Sequence, residues 1–316
     1  MHAKYGEIQT MQQELFVEDI NMKSRLKFLS LVVFSSFALS GCSVDLGFIK
    51  IGDNPSETSQ SSGAYDKEKD AKRIETYYQS IDTASFGDRL LTALRTLNLS
   101  NRTKQVTYTS MSTSASGMFK YTDYDPATVK FTSEGVPYGT KISSFYSGKI
   151  TTTFNREHVW PNSRSGNLVE DDILMTRPTV TEENSDRGNS AYVTGMCTEH
   201  DGWDPVTAFG DTIGVAPNIR GECARIIFYC MTASNQLVLN DNAKNEGNNM
   251  AKLTDMITWA CENPVTEREL RRNVGAQYLQ GNRNAFVDHP EYACKIWGNT
   301  NESTRSACQK ANYSVN

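Results

Sequence analysis

The chain has 316 residues, 38% hydrophobic and 22% charged, which excludes a disordered or fibrous protein and leaves room for one large domain or two small ones. Its net charge is −5, and the four basic and four acidic residues of 1–41 cancel, so it stays at −5 without them. That balance argues against a protein that coats nucleic acid, a task for basic surfaces, but leaves an enzyme open, since a cleft and a cation neutralise one phosphate at a time.

Residues 1–21 are polar and form no part of an export signal, so Met22 is a second candidate initiator. Residues 22–42 read MKSRLKFLSLVVFSSFALSGC: a basic start, an apolar middle and a small-residue end. That is a secretory signal, short for a membrane span. Its end, Leu39-Ser40-Gly41-Cys42, is similar to a bacterial lipobox, which predicts cleavage before Cys42 and lipidation of its thiol. The plainer alternative is a signal-anchor helix with an incidental cysteine. Residues 42–70 are rich in Ser, Gly and charge and read as a flexible tether, leaving 71–316 as the folded domain.

From 71 to 97, apolar residues recur at helical spacing, with Gly87 a break between two helices. Residues 104–153 carry short β-prone runs with turn residues between them. Their tyrosines Tyr121, Tyr124 and Tyr138 either stack on bases or pack the scaffold, the commoner fate of each. Segment 154–189 then brings Arg156-Glu157-His158, Trp160-Pro161 and Asn184-Ser185-Asp186-Arg187-Gly188-Asn189. A hard divalent cation takes oxygen ligands, which Glu157 and the Asn184 amide can supply, and an imidazole can draw a proton from water. Neighbours on a strand point to opposite faces, so Glu157 and His158 share a site only if the strand twists or the site wraps around its end. Each residue also has an ordinary reading. His158 alone would be a structural histidine, Glu157 an ion-pair partner of Arg156, Asn184 a helix cap and Arg187 a partner of Asp186 or Glu183. In the functional reading Arg187 holds the scissile phosphate or the leaving oxygen, and Asn155 and Asn189 brace the site. Arg164 and Arg177 are weaker phosphate candidates, and Trp160 and Pro161 pack.

Residues 190–219 read as a long loop with His200 at its surface. A helix is expected over 221–239 with Glu222 and Arg225 paired on it, and another over 253–261 ending at Asn263-Pro264. Thr266 with Glu269 fits a capping box opening a third helix, whose Arg271 and Arg272 face solvent or phosphate. The run 280–284 (QGNRN) reads as a polar turn, and His289 as a helix-start residue and runner-up histidine. Beyond Cys42 there are six cysteines, an even number that permits disulfides in an exported protein; Cys294 and Cys308 are the first pair expected. Cys223 and Cys230 share a helix face but are too far apart to bond. No C-x-x-C zinc spacing and no H-E-x-x-H occur.

Together with 118–126 (MFKYTDYDP), 220–229 (RGECARIIFY) and 280–293 (QGNRNAFVDHPEYA), segment 154–189 resembles the bacterial endonuclease I family of His-Me finger nucleases, over residues 72–298. The resemblance implies an α+β fold of helices and short strands around a ββα-metal motif. It implies a monomer that cuts DNA and often RNA without sequence preference, using one divalent ion, Mg²⁺ first and Mn²⁺ or Ca²⁺ as alternatives. In that pattern Glu157 and Asn184 hold the metal, His158 is the general base and products carry 5′-phosphate. The chain departs from the pattern in one place: 172–178 reads DILMTRP, where the family's Asp-Leu-His-x-Leu-x-Pro run carries histidine. That departure keeps open a decayed surface lipoprotein that binds nucleic acid or polysaccharide without cutting. A structural envelope protein or adhesin leaves the Glu-His and Asn set without a role.

Overall fold

A computed structural model describes residues 65–195, 202–244 and 246–315, all within one unit, Thr58–Asn316. The signal reading, Cys42 and most of the tether lie outside the described residues, as do Cys197 and His200. Helix α1 (Lys67–Tyr78) begins inside the stretch read as tether. The reason is Asp70, whose two oxygens accept from Arg283 at 2.9 and 3.0 Å in a fully buried ion pair, a fixed contact rather than a solvated charge. After a turn, Gly87 takes φ 54° and opens α2 (Gly87–Asn101), which buries Leu90, Leu94 and Asn98. A short helix α3 (Tyr108–Met111) is opened by a Thr107/Ser110 capping box. Two-residue strands follow as antiparallel pairs: β1 (Lys130–Phe131) with β2 (Pro137–Tyr138), and β3 (Ile142–Ser143) with β4 (Ile150–Thr151).

The middle of the chain is a ββα unit. Strand β5 (Asn155–His158) runs antiparallel to β6 (Thr176–Thr179), with Glu157 opposite Arg177 and His158 opposite Thr176. Helix α4 (Thr181–Arg187) follows β6 directly and packs on β5. Further on lie α5 (Pro205–Phe209), α6 (Ile219–Ala233), the parallel pair β7 (Val238–Asn240) and β8 (Asn249–Lys252), and α7 (Leu253–Glu262). The chain closes with α8 (Glu267–Gln280), α9 (Ala285–Asp288), α10 (Glu291–Trp297) and α11 (Glu302–Lys310). This mixture of helices with short strands is the α+β class expected. Among the described residues no helix is long and apolar enough to cross a membrane.

Helix α6 is the centre of the packing. It is buried on all sides, and α2, α5, α7 and α9 lie against it. A helix covered all round needs apolar residues all round, and Ile219, Cys223, Ala224, Ile227, Phe228 and Cys230 supply them. Each large apolar side chain buried there contributes about 1.5–3 kcal/mol. The helix ends at Ala233, short of the 239 expected. Ser234 turns extended and its hydroxyl accepts from Gln236 N–H at 3.1 Å, so Leu237 reaches the core from the turn and Leu239 from a strand instead.

The buried charges also depart from the expected pattern. Glu222 and Arg225 do not pair with each other. Glu222 bonds Arg177 and Arg268, and Arg225 makes a two-point contact with Glu269 at 2.6 and 2.9 Å. Arg272 is buried against Asp123 and the carbonyls of Ile173 and Thr176, and Arg271 pairs with Glu267, so neither is free for phosphate. Arg177 bonds Asp123 and Glu222, and Arg164 donates to the carbonyls of Asn189, Lys244, Glu246, Gly247 and Asn249. Both arginines therefore hold structure together rather than reach substrate. The Thr266–Glu269 capping box is present as expected. Cys294 and Cys308 stand at bonding distance with Cα atoms 5.7 Å apart, while Cys223, Cys230 and Cys261 are free.

Candidate active site

The ββα unit opens on a cleft of about 340 Å³ lined by Arg156, Glu157, His158, Pro161, Asn162, Ser163, Asn184, Arg187, Gly188 and Asn189. Glu157, His158, Asn184, Arg187 and Asn189, singled out from sequence, meet there. Asn155, at the start of β5 opposite Thr179, does not line it. The strand problem is solved by position. His158 is the last residue of β5, so the cleft wraps around the strand's end and receives both neighbours. Glu157 points inward and is buried, whereas Arg156 and His158 lie on the other face against one ring, that of Tyr108. The Arg156 guanidinium sits 3.5 Å from the Tyr108 centroid, and the His158 ring stacks on it at 5.6 Å and 20°.

The Glu157 carboxylate is 2% exposed. Its Oε1 accepts from the Tyr146 hydroxyl at 2.6 Å and lies 3.5 Å from Arg187 Nη1. Burial pushes its pKa up, and the Arg187 charge and the Tyr146 bond pull against that rise. Among the described residues its second oxygen, Oε2, carries no hydrogen bond. The Asn184 side chain likewise has no partner among them, which removes its cap reading: α4 is capped at Val180, and Asn184 sits within the helix. A buried carboxylate with one free oxygen and an unbonded amide on the same cleft is a donor set for a hard cation, so the residues fit a divalent ion.

His158 Nε2 lies 2.9 Å from the Glu170 carbonyl oxygen. A carbonyl only accepts, so Nε2 carries the proton and Nδ1 keeps the lone pair. Burial lowers the imidazole pKa, with Arg156 and Arg187 acting the same way and Glu170 opposing them, which favours the neutral ring. Arg187 is 1% exposed, and its guanidinium donates to the carbonyls of His158 at 3.3 Å, Gly188 at 3.1 Å and Val159 at 2.6 Å. Its acidic partner is Glu157, not Asp186 or Glu183. Asp186 accepts from the Trp203 indole at 2.9 Å and Glu183 from Ser144 at 2.8 Å. Trp160 is fully buried and its indole donates to the Arg164 carbonyl at 2.8 Å.

Sequence reasoning missed the supporting residues. Tyr108, Tyr146 and Tyr192 gave no local signal, because each acts on a residue many positions away. Tyr146 and Tyr192 hydroxyls lie 2.7 Å apart beneath Glu157. The departure at 172–178 falls outside the cleft. Leu174, at the position where the pattern carries histidine, is 2% exposed and borders a void of about 10 Å³ with Arg177, Glu222, Glu269 and Arg272. Nearby, Asp172 accepts from Tyr229 and Gln280 at 2.6 and 2.8 Å, so the run 280–284 braces this segment from behind. His289 lies elsewhere, stacked on Tyr292 and 3.3 Å from Glu291.

Residues 87–291, which contain every residue of the cleft, match the family described as Endonuclease I. An extracellular ribonuclease of Bacillus amyloliquefaciens is 31% identical over 245 residues, 71% of this chain and 78% of that one. An extracellular ribonuclease of Bacillus subtilis (strain 168) is 33% identical over 159 residues, 46% of this chain and 54% of that one. The chain belongs to the endonuclease I family: it is a nuclease, a hydrolase of nucleic-acid phosphodiester bonds.

Proposed function

We propose a metal-dependent endonuclease that cuts DNA and RNA without sequence preference, leaving 5′-phosphate and 3′-hydroxyl ends. The observation that carries this is the meeting of Glu157 Oε2, the Asn184 amide and the lone pair of His158 in one cleft. Water placed at His158 Nδ1 and in line with a backbone phosphorus loses its proton to the imidazole. The charge that the ring gains is met on its far side by the Glu170 carbonyl at 2.9 Å. Arg187 acts as a positioning residue, in place of the phosphate contact expected from sequence: it holds the His158 and Val159 carbonyls and faces Glu157. Asn189 belongs to the cleft rim, and Asn155 acts from outside it. A divalent cation, Mg²⁺ by the oxygen donor set, would be held by Glu157 and Asn184 and would supply Lewis-acid stabilisation of charge on the phosphate and leaving oxygens. Backbone phosphates are alike in every sequence, so low specificity follows from contacts of this type.

Export is supported by the two relatives named extracellular ribonucleases and by the signal pattern at 22–42. We place the enzyme at the cell envelope, anchored through Cys42 and acting as a monomer. Intact cleft residues favour catalysis over the decayed-binder reading, and Leu174 lies outside the cleft. The deciding experiment is digestion of supercoiled plasmid and of RNA, with Mg²⁺ and with EDTA. The expected result is cleavage only with metal, no 2′,3′-cyclic phosphate among RNA products, and loss of cleavage in His158→Ala with metal binding retained. Undiminished cutting in EDTA, or by His158→Ala, overturns the assignment.

A further inference from the structure

Three tyrosines from separate elements meet at one patch. Tyr121 ends the turn Met118–Tyr121, Tyr138 ends β2 and Tyr278 lies near the end of α8. The Tyr121 ring centroid is 5.9 Å from that of Tyr138 and 5.4 Å from that of Tyr278, with the planes tilted by 53° and 52°. All three side chains are part exposed, and among the described residues their hydroxyls make no hydrogen bond. Lys120 Nζ stands 5.1 Å from the Tyr121 centroid and Lys104 Nζ 5.6 Å from that of Tyr278. Lys104 is fixed by its bond to the Tyr278 carbonyl at 2.9 Å. The rings are held in place too. A Cβ at Gly275, one turn before Tyr278, would lie 2.1 Å from the Tyr121 carbonyl oxygen, so α8 rests directly on the backbone that carries Tyr121.

Tyrosines that serve the core look different here: Tyr146, Tyr192 and Tyr229 are buried with their hydroxyls bonded. Part-exposed rings with ammonium groups close by suit a ligand that is flat and anionic. An unpaired nucleotide is both, since its base offers a face and its phosphate a charge. Glu134 acts electrostatically on Tyr278, so the patch is not purely cationic. The patch also connects to the cleft. Tyr108, on which His158 stacks, belongs to α3, and α3 packs on the turn that ends in Tyr121.

We propose that Tyr121, Tyr138 and Tyr278, with Lys104 and Lys120, form a platform that binds unpaired bases of single-stranded nucleic acid, outside the cleft that cuts it. The proposal rests on the cleft as the place of hydrolysis. A duplex keeps its bases stacked inward and has no free faces to offer, so the platform favours single strands. The test uses the full chain with His158→Ala, so that the probe survives. Binding of a fluorescein-labelled oligothymidylate, and of its duplex with oligoadenylate, is read by anisotropy. Tyr278→Ala is expected to weaken single-strand binding roughly 5- to 150-fold, with Tyr278→Phe unchanged and the duplex unaffected. Tyr121→Ala should do the same. Tyr278→Ala binding the single strand as tightly as its parent, at unchanged melting temperature, overturns the platform. Equal weakening on the duplex overturns it too. Cleavage of the probe by His158→Ala, read on a gel, reports separately on the cleft.

Discussion

A tyrosine hydroxyl has one proton to give, and Tyr146 gives it to Glu157 Oε1. Tyr192, 2.7 Å from the Tyr146 oxygen, must therefore donate to it, and the two hydroxyls form a chain that ends on the carboxylate. Partners of this kind orient a ligand, and their loss typically costs about 10- to 100-fold in metal affinity or activity. Tyr146→Phe should accordingly raise the Mg²⁺ concentration needed for half-maximal cleavage by about that factor, while the rate at saturating metal falls much less. Tyr108 makes the opposite prediction. Its ring aligns His158 and Arg156 but touches neither Glu157 nor Asn184. Tyr108→Ala should lower the rate at saturating Mg²⁺ with the metal requirement unchanged, and Tyr108→Phe should restore it. Equal loss in both variants would show that the hydroxyl, not the stacked ring, matters.

Helix α8 shows how far an element can be read from its own residues. Thr266 and Glu269 announce its start, and the box is there. Arg271 pairs four residues back with Glu267, as spacing allows, but the fate of Arg272 is not legible because its partner is remote: it reaches Asp123, 149 positions away, and Arg177 reaches the same Asp123 across 54. Local spacing sees partners three or four residues off and nothing farther. The cleft was legible for the same reason, because Glu157, His158, Asn184 and Arg187 lie on one short ββα segment. The braces at Tyr108, Tyr146 and Tyr192 come from three other places in the chain. Gly275 offers a test of how closely α8 is seated. Gly275→Ala should cost about 1–3 kcal/mol, at the upper end because the colliding atom is backbone, and lower the melting temperature accordingly. A melting point equal to wild type would show that α8 can ride outward freely.

At the scale of the molecule, the fold depends on charges buried between its helices. Glu222 is the junction: burial pushes its carboxyl up, but Arg177 and Arg268 outweigh that and hold it at about 2, below its ordinary 4.5. A carboxyl depressed in the folded state stabilises fully above its unfolded pKa and loses that contribution as pH falls through the folded one. The window therefore runs from about pH 4.5 down to about 2. The share lost across it is of the order of 3 kcal/mol, a large part of a typical stability. Urea midpoints measured across this window should fall steadily. A flat profile would mean that the two arginines do not hold Glu222 ionised.

The guanidinium of Arg164 ties Asn189, on the rim of the cleft, to Lys244, Glu246, Gly247 and Asn249 through their carbonyl oxygens. Carbonyls are present whatever side chain a position bears. The outward residue Lys244 can thus be exchanged in charge or size without loosening the anchor, whereas Glu246 also favours the Arg164 charge through its own carboxylate. This stretch beside the mouth of the enzyme is a place where substrate preference can be redesigned while the catalytic geometry behind it stays put.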